Sequence, residues 1–164
     1  MSTPIIRELL GPDVALAYAA LGELRPQSPA MISPLSLQAW VETHPDGYRL
    51  LGSFGDGAQA AAALGFRIMT TLYQGRQLYI DDLVTLPEAR GQGHARALLA
   101  WAEAEARRLD CQSVDLDSNV QRYVAHRQYL KFGMDITAHH FGKELALAAT
   151  TIQLSATPPA AAAR

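Results

Sequence analysis

The chain of 164 residues has a single cysteine, Cys111. One thiol builds neither an internal disulfide nor a cysteine metal cluster. Cys111 lies between a helical stretch and a strand-like one, with no partner that would activate it, so it reads as a structural thiol. Lysine is also scarce. Neither Lys131 nor Lys143 is followed by Ser or Thr, which removes the P-loop, whose glycine turn ends in Lys-Ser or Lys-Thr. No apolar run approaches the ~20 residues of a membrane-spanning helix. The N-terminus lacks the basic and apolar regions of a signal peptide. The expectation is a cytoplasmic protein with no membrane partner. Positive charge is not in excess: 14 Lys and Arg face 16 Asp and Glu, a formal net charge of −2. With no basic stripe and no aromatic residues interleaved with basic ones, nucleic acid is not an expected partner. His139 and His140 are adjacent, so on a strand they would point to opposite faces. No metal site is expected.

What is present suits one packed domain. Hydrophobic residues make up 49% of the chain. The domain is expected over residues 1–146, with 147–164 as an Ala/Pro/Thr-rich tail disordered at its end. Ile5 to Leu9 reads as a first strand. Asp13 is placed as N-cap of a helix carrying Val14, Ala17, Tyr18, Leu21 and Leu24 at helical spacing. Ser33-Pro34 opens a second helix, with Ser as cap and Pro at the first helical position, and Leu37, Trp40 and Val41 form its apolar face. Tyr48–Phe54 and Gln59–Met69 read as the second and third strands, joined at Gly55-Asp56-Gly57, and Gln74-Gly75-Arg76 turns the chain into the next. Later, Ser113–Asp117 alternates as a strand does. Because it follows a strand–helix unit, it should lie parallel to that unit's strand. Val120–Phe132 reads as a helix closed by Gly133, and Asp135–Leu145 as a last strand.

The chain is organised around Tyr79 to Leu109. Tyr79–Leu86 is rich in the β-branched, aromatic and aliphatic residues of a buried strand, and Pro87 stops it. Gly91 and Gly93 permit a turn closed to other residues. From Ala95 the period changes, and Leu98, Leu99, Ala102, Ala106 and Leu109 share one helix face. The first amides of such a helix have no intrahelical partner, and the macrodipole places partial positive charge there. Arg90 adds a full charge. The local chemistry is that of a phosphate site, most simply a diphosphate. A dinucleotide loop would need a small third residue where Arg96 stands, so a nicotinamide-binding protein is disfavoured.

Arg90-Gly91-Gln92-Gly93-His94-Ala95 resembles the acyl-CoA signature of the GNAT family of N-acetyltransferases: Arg or Gln, two residues, Gly, one residue, then Gly or Ala. A strand ending in Leu-Pro-Glu precedes it and an Ala-Leu-Leu helix follows, as in that family. Ala125, Tyr129 and Gly133 match the helix that commonly ends the family's cofactor site. Gln128 and Met134 replace its usual aromatics, and Arg122 stands where the family often has Asn. The resemblance runs from about Ala60 to Leu145.

It implies an α/β fold of the GNAT type, a mixed and mostly antiparallel sheet flanked by helices on both faces. It also implies transfer of acetyl from acetyl-CoA, as co-substrate, to a primary amine by direct attack in a ternary complex. The acceptor would be a small-molecule or peptide amine. The alternative is a non-catalytic acyl-CoA-binding sensor or interaction module on the same fold. By the resemblance, Leu83, Val84 and Thr85 offer backbone amides to the acetyl group, and the amides of Gly91, Gln92, Gly93, His94, Ala95 and Arg96 hold the diphosphate beside Arg90. Arg122 and Arg127 are further candidates to reach a phosphate. Tyr129 is the candidate acid that protonates the CoA thiolate. The first two helices would cover the acceptor pocket, with Tyr18, Arg25 and Trp40 near enough to line it. The family often dimerises through its last strand, so a homodimer is an expectation.

A free amine is mostly protonated at neutral pH, so a carboxylate base would help. Asp81 and Asp82 lie just before the acetyl site. Strand alternation predicts opposite faces for them, so that one alone points at the acceptor. The string Tyr-Ile-Asp-Asp-Leu looks like the acidic pair of diamine acetyltransferases, which favours Asp81 and a cationic small amine. A salt bridge to Arg67 or Arg76 is the structural alternative. His126 is a further group that titrates near neutrality.

Overall fold

The computed structural model describes residues 3–44, 46–143 and 145. Five strands form one sheet in sequence order: β1 (Ile5–Glu8), β2 (Arg49–Phe54), β3 (Ala62–Thr71), β4 (Gly75–Thr85) and β5 (Ser113–Leu116). Neighbours are antiparallel except β4 and β5, which are parallel. The parallel pair is joined by helix α3 (His94–Arg108), as a strand–helix–strand unit requires. The fold is the mixed, mostly antiparallel sheet expected, with helices on both faces.

Side-chain alternation divides the sheet between two cores. On one face, Leu50 and Ala63 pack with Ala20 and Leu21 of α1 (Tyr18–Leu24) and Leu37 of α2 (Pro34–Thr43). On the other, Leu64, Phe66 and Leu78 pack with Leu98, Leu99 and Ala102 of α3, while Tyr129 and Phe132 of α4 (Tyr123–Phe132) close the margin. Ser33 caps α2 by accepting the Ser36 N–H at 3.1 Å, and Gly133 ends α4 at φ 95°. α3 also carries a buried acid, Glu105. Arg108 on its own helix and Arg49 on β2 hold it at 2.7 Å each, and Arg49 reaches on to Glu8 of β1 at 2.7 Å. The bond from Arg108, ahead of that from Arg49, lowers the Glu105 carboxyl to about 2. One ion network thus fastens α3 to the outer strands.

Several boundaries differ from expectation. Asp13 caps nothing. It lies inside a tight 3-10 segment, Gly11–Ala17, which starts after Leu10 because Pro12 favours the first turn. The third strand begins at Ala62, not Gln59, because Ala60 gives its N–H to Leu16 O and Ala61 to Ser53 O. α4 begins at Tyr123, since Asn119 O takes the Arg122 N–H and holds the preceding residues in a turn. The expected last strand is not formed: the described residues from 134 to 143 have no regular structure, and Ile136 and Phe141 are exposed. Ile136 and Ala138 would face one side of such a strand and Phe141 the other, so the segment lacks the single apolar face that docks a strand on a sheet, and the outer edge of β5 has no strand beside it among the described residues. The expected dimerisation through it has no strand to rest on among the described residues. The expected tail, 147–164, lies outside the described residues.

Candidate active site

The site begins where two strands part. β5 leaves β4 at the Ile80–Leu116 pair, yet β4 runs on to Thr85, so its edge from Asp81 onward has β3 on one side and no strand on the other. Leu86 gives its N–H to Ala61 O across β3. By the two-residue alternation of a ladder, Val84 turns the same way, and Leu83 and Thr85 turn their N–H and C=O groups into the gap. An opening of this kind offers backbone hydrogen bonds to an extended ligand lying along β4, as a further strand would take them.

The loop after β4 is a candidate anion site. Gly91 and Gly93 hold φ of 78° and 90°, a region open to glycine. A Cβ at either would meet nothing within 4 Å, so the space above both is clear. Gly93 caps α3 without a side-chain bond, and among the described residues no backbone carbonyl accepts the N–H groups of residues 91 to 96. These amides and the helix dipole converge on the clear space. Arg90 is exposed beside it, its Nε 3.4 Å from Thr85 O. The side chain of His94 faces inward instead. It is 4% exposed, and its Nδ1 lies 2.8 Å from Ser53 Oγ, which pins the start of α3 to β2. Burial lowers the His94 pKa and keeps the imidazole neutral. Of His94, only the backbone amide faces the candidate anion site.

Asp81 and Asp82 do not point to opposite faces, contrary to strand alternation. The register against β3 pairs Phe66 with Ile80 but Gly65 with Asp82, leaving Asp81 as the extra residue of a β-bulge. Ile80 and Leu83, three positions apart, therefore both enter the α3-side core. The two acids between them both face α1 and α2, where they line a cavity of about 320 Å³. Arg67 grips Asp81 with two bonds of 2.8 Å. Arg25 bonds Asp82 Oδ1 at 2.7 Å, and Tyr48 donates to Asp82 Oδ2 at 2.8 Å. Burial first, then Asp82, raises the Tyr48 pKa well above its ordinary value. Trp40 stands edge-on to Tyr48, ring centroids 4.9 Å apart, and also lines the cavity. Of the three residues expected near the acceptor, Arg25 and Trp40 line the cavity. Tyr18 instead donates to Met31 O at 2.7 Å.

Tyr129 lies across the sheet from this cavity, half-buried against the α3-side core. Burial raises its pKa, so the phenol stays protonated through the neutral range. Between β5 and α4, just past the point of parting, Ser118 Oγ is buried and has no hydrogen-bond partner among the described residues. A buried hydroxyl left unpaired is costly, which makes Ser118 a candidate to bond a ligand. Sequence reasoning overlooked Ser118, Tyr48 and His44, which carry no motif. Arg67 was foreseen only as a structural partner. Arg122, just before α4, and Arg127 on it are exposed; His126 bonds Asn119 O at 3.1 Å, and His140 pairs with Asp117 at 2.8 Å.

Residues 17–134 match the model of the acetyltransferase (GNAT) family. The chain belongs to this family. A Bacillus subtilis protein named uncharacterized N-acetyltransferase YhdJ is 32% identical over 130 residues, covering 79% of this chain and 89% of that protein. The aminoalkylphosphonate N-acetyltransferase of Salmonella typhimurium is 44% identical over 66 residues, covering 40% of this chain and 43% of that protein. The chain thus matches less than half the length of this relative. Among solved structures, the aminoglycoside N-acetyltransferase AAC(6')-Iy in complex with CoA superposes with a TM-score of 0.74 at 14% identity, over 90% of this chain and 97% of that one. This last likeness shows the fold. As a GNAT protein the chain is an acyltransferase that uses an acyl-CoA, and the readings as a non-catalytic sensor or a nicotinamide-binding protein give way to it. Among the described residues no helix is long and apolar enough to cross a membrane.

Proposed function

We propose that the chain transfers acetyl from acetyl-CoA to a small primary amine by direct attack in a ternary complex. The observation that carries this reading is that one strand, β4, has both an open edge leading into the glycine loop and a bulge beside a cavity. Its open edge and the loop after it suit the thioester and diphosphate of the donor, and its bulge presents two carboxylates to a cavity under α1 and α2. A donor lying in the gap and an amine entering from the cavity meet at Leu83, with no acetyl-enzyme between them. The Salmonella relative, named for aminoalkylphosphonates, supports a small primary amine as acceptor.

The Leu83 and Thr85 amides polarise the thioester carbonyl, Ser118 Oγ bonds the pantetheine arm, and the amides of residues 91 to 96 with Arg90 hold the diphosphate. Asp81 or Asp82, directly or through water, takes a proton from the incoming ammonium. The amine nitrogen then attacks the carbonyl carbon. The C–S bond breaks, its electron pair leaves on sulfur, and Tyr129 protonates that thiolate. The nitrogen sheds its second proton as the amide forms, so each turnover yields an N-acetyl amine, free CoA and one proton to solvent. Initial velocities with both substrates varied test the ternary complex. Intersecting double-reciprocal lines are expected, and parallel lines would reject direct attack.

A further inference from the structure

We propose that the acceptor is a small primary amine carrying an anionic group, and that Arg25 is the specificity-determining residue that receives that group. The inference rests on the acetyl-transfer reading above and names its acceptor class. An acidic pair by itself would call for a cation, but here neither acid is unpaired. Arg67 occupies both oxygens of Asp81, and Arg25 and Tyr48 divide those of Asp82. The charges lining the cavity therefore cancel as two Arg against two Asp.

Exposure decides which sign an entering molecule meets. The Arg25 side chain is 55% exposed, while Asp82 behind it is 13% exposed. Arg25 bonds through Nε to Asp82 and through Nη2 to Asp81 O, so Nη1 has no partner among the described residues. An anion at the cavity mouth thus finds a guanidinium already oriented by two bonds, and guanidinium suits carboxylate, sulfonate and phosphonate oxygens. Beneath it, Leu21, Met31 and Trp40 give an apolar wall suited to a short alkyl linker. The remaining lone pairs of Asp82 accept the ammonium at the inner end. The cavity's size, at the small end of the range for ligand pockets, favours a compact zwitterion over a long polyamine.

The test is thiol release with β-alanine, taurine and aminomethylphosphonate set against propylamine and putrescine, in wild type and Arg25→Gln. The anionic amines should lead in kcat/KM by about tenfold or more, the scale of one charge-assisted hydrogen bond. Arg25→Gln should erase that lead and shift preference towards putrescine, because it removes the anion's receptor and leaves Asp82 short of its counter-charge. A wild-type preference for the cations, or an unchanged ratio in the variant, overturns the proposal while leaving acetyl transfer intact. If no amine releases thiol, acetyl transfer to these amines fails, and the acceptor site is read by calorimetry on the CoA complex. Binding of the anionic amines that Arg25→Gln abolishes then supports the site, and no such binding overturns it.

Discussion

Gly65 on β3 faces Tyr48, and replacing it with alanine is the sharpest probe of the acceptor side. A Cβ at this position would sit 1.7 Å from Tyr48 Oη, 2.1 Å from Cζ and 2.7 Å from Cε2. Tyr48 is 7% exposed and cannot swing into solvent without leaving its core. The ring must shift, and its 2.8 Å bond to Asp82 goes with it. Forced overpacking costs about 1–3 kcal/mol. The lost bond to a charged group adds ~1.5–3 kcal/mol, and the restricted unfolded chain returns ~0.4–1 kcal/mol. The net expectation is about 2–5 kcal/mol, a fall in Tm of roughly 5–15 °C for a domain of this size. Thermal unfolding measures it, alone and in a Tyr48→Leu background, where the clash is gone and the added cost of Gly65→Ala should drop below ~1 kcal/mol. Acceptor KM should rise in the single variant with acetyl-CoA affinity kept. A Gly65→Ala protein that melts with the wild type, or one equally destabilised in both backgrounds, would refute the packing argument.

Other expectations are independent of this one. Glu105 is held well below its ordinary carboxylate value of 4.5, at about 2. A depressed folded-state pKa contributes stability that is full above the unfolded value and lost as pH falls through the folded one. Acid titration followed by circular dichroism should therefore show wild-type stability falling between about pH 4.5 and 2. Glu105→Gln should be less stable at pH 7 and flatter across that window; a parallel acid profile would remove Glu105 as the cause. Tyr129→Phe keeps the ring in its core and removes only the hydroxyl. We expect turnover to fall about tenfold or more with acetyl-CoA affinity retained, and full turnover would dismiss Tyr129 as the acid. In Asp81→Asn and Asp82→Asn, the variant with the larger loss of kcat identifies the base. Equal activity to wild type in both would place the base elsewhere.

Much of the local structure of the candidate donor side was legible because its signals are local. The strand, the glycine loop and the amphipathic helix from Tyr79 to Leu109 lie within one run of sequence, and periodicity and φ preference specify each piece. Ser33 and Gly133 marked helix ends for the same reason. The candidate acceptor side was not legible, because it depends on pairing across the chain. Asp81 and Asp82 share a face only because β3 offers one residue fewer than β4 around Gly65, and no local pattern announces that bulge. Tyr48 matters through a hydrogen bond spanning 34 residues. The stretch Asp135–Leu145 shows the converse: it holds strand-favouring residues such as Ile136 and Phe141, but they fall on opposite faces, and composition alone does not pair a segment with a sheet.

The central claim is that the loop from Arg90 to Arg96 holds the diphosphate of acetyl-CoA, and calorimetric titration tests it most directly. Wild type should bind acetyl-CoA in the micromolar range, with NAD silent at the same concentrations. Arg90→Glu, which leaves both positive-φ glycines in place, should weaken that affinity by about tenfold or more. Combining it with Gly93→Asp should abolish measurable binding. Unchanged acetyl-CoA affinity in the double variant would contradict the account and leave the glycine loop as no more than a join between strand and helix.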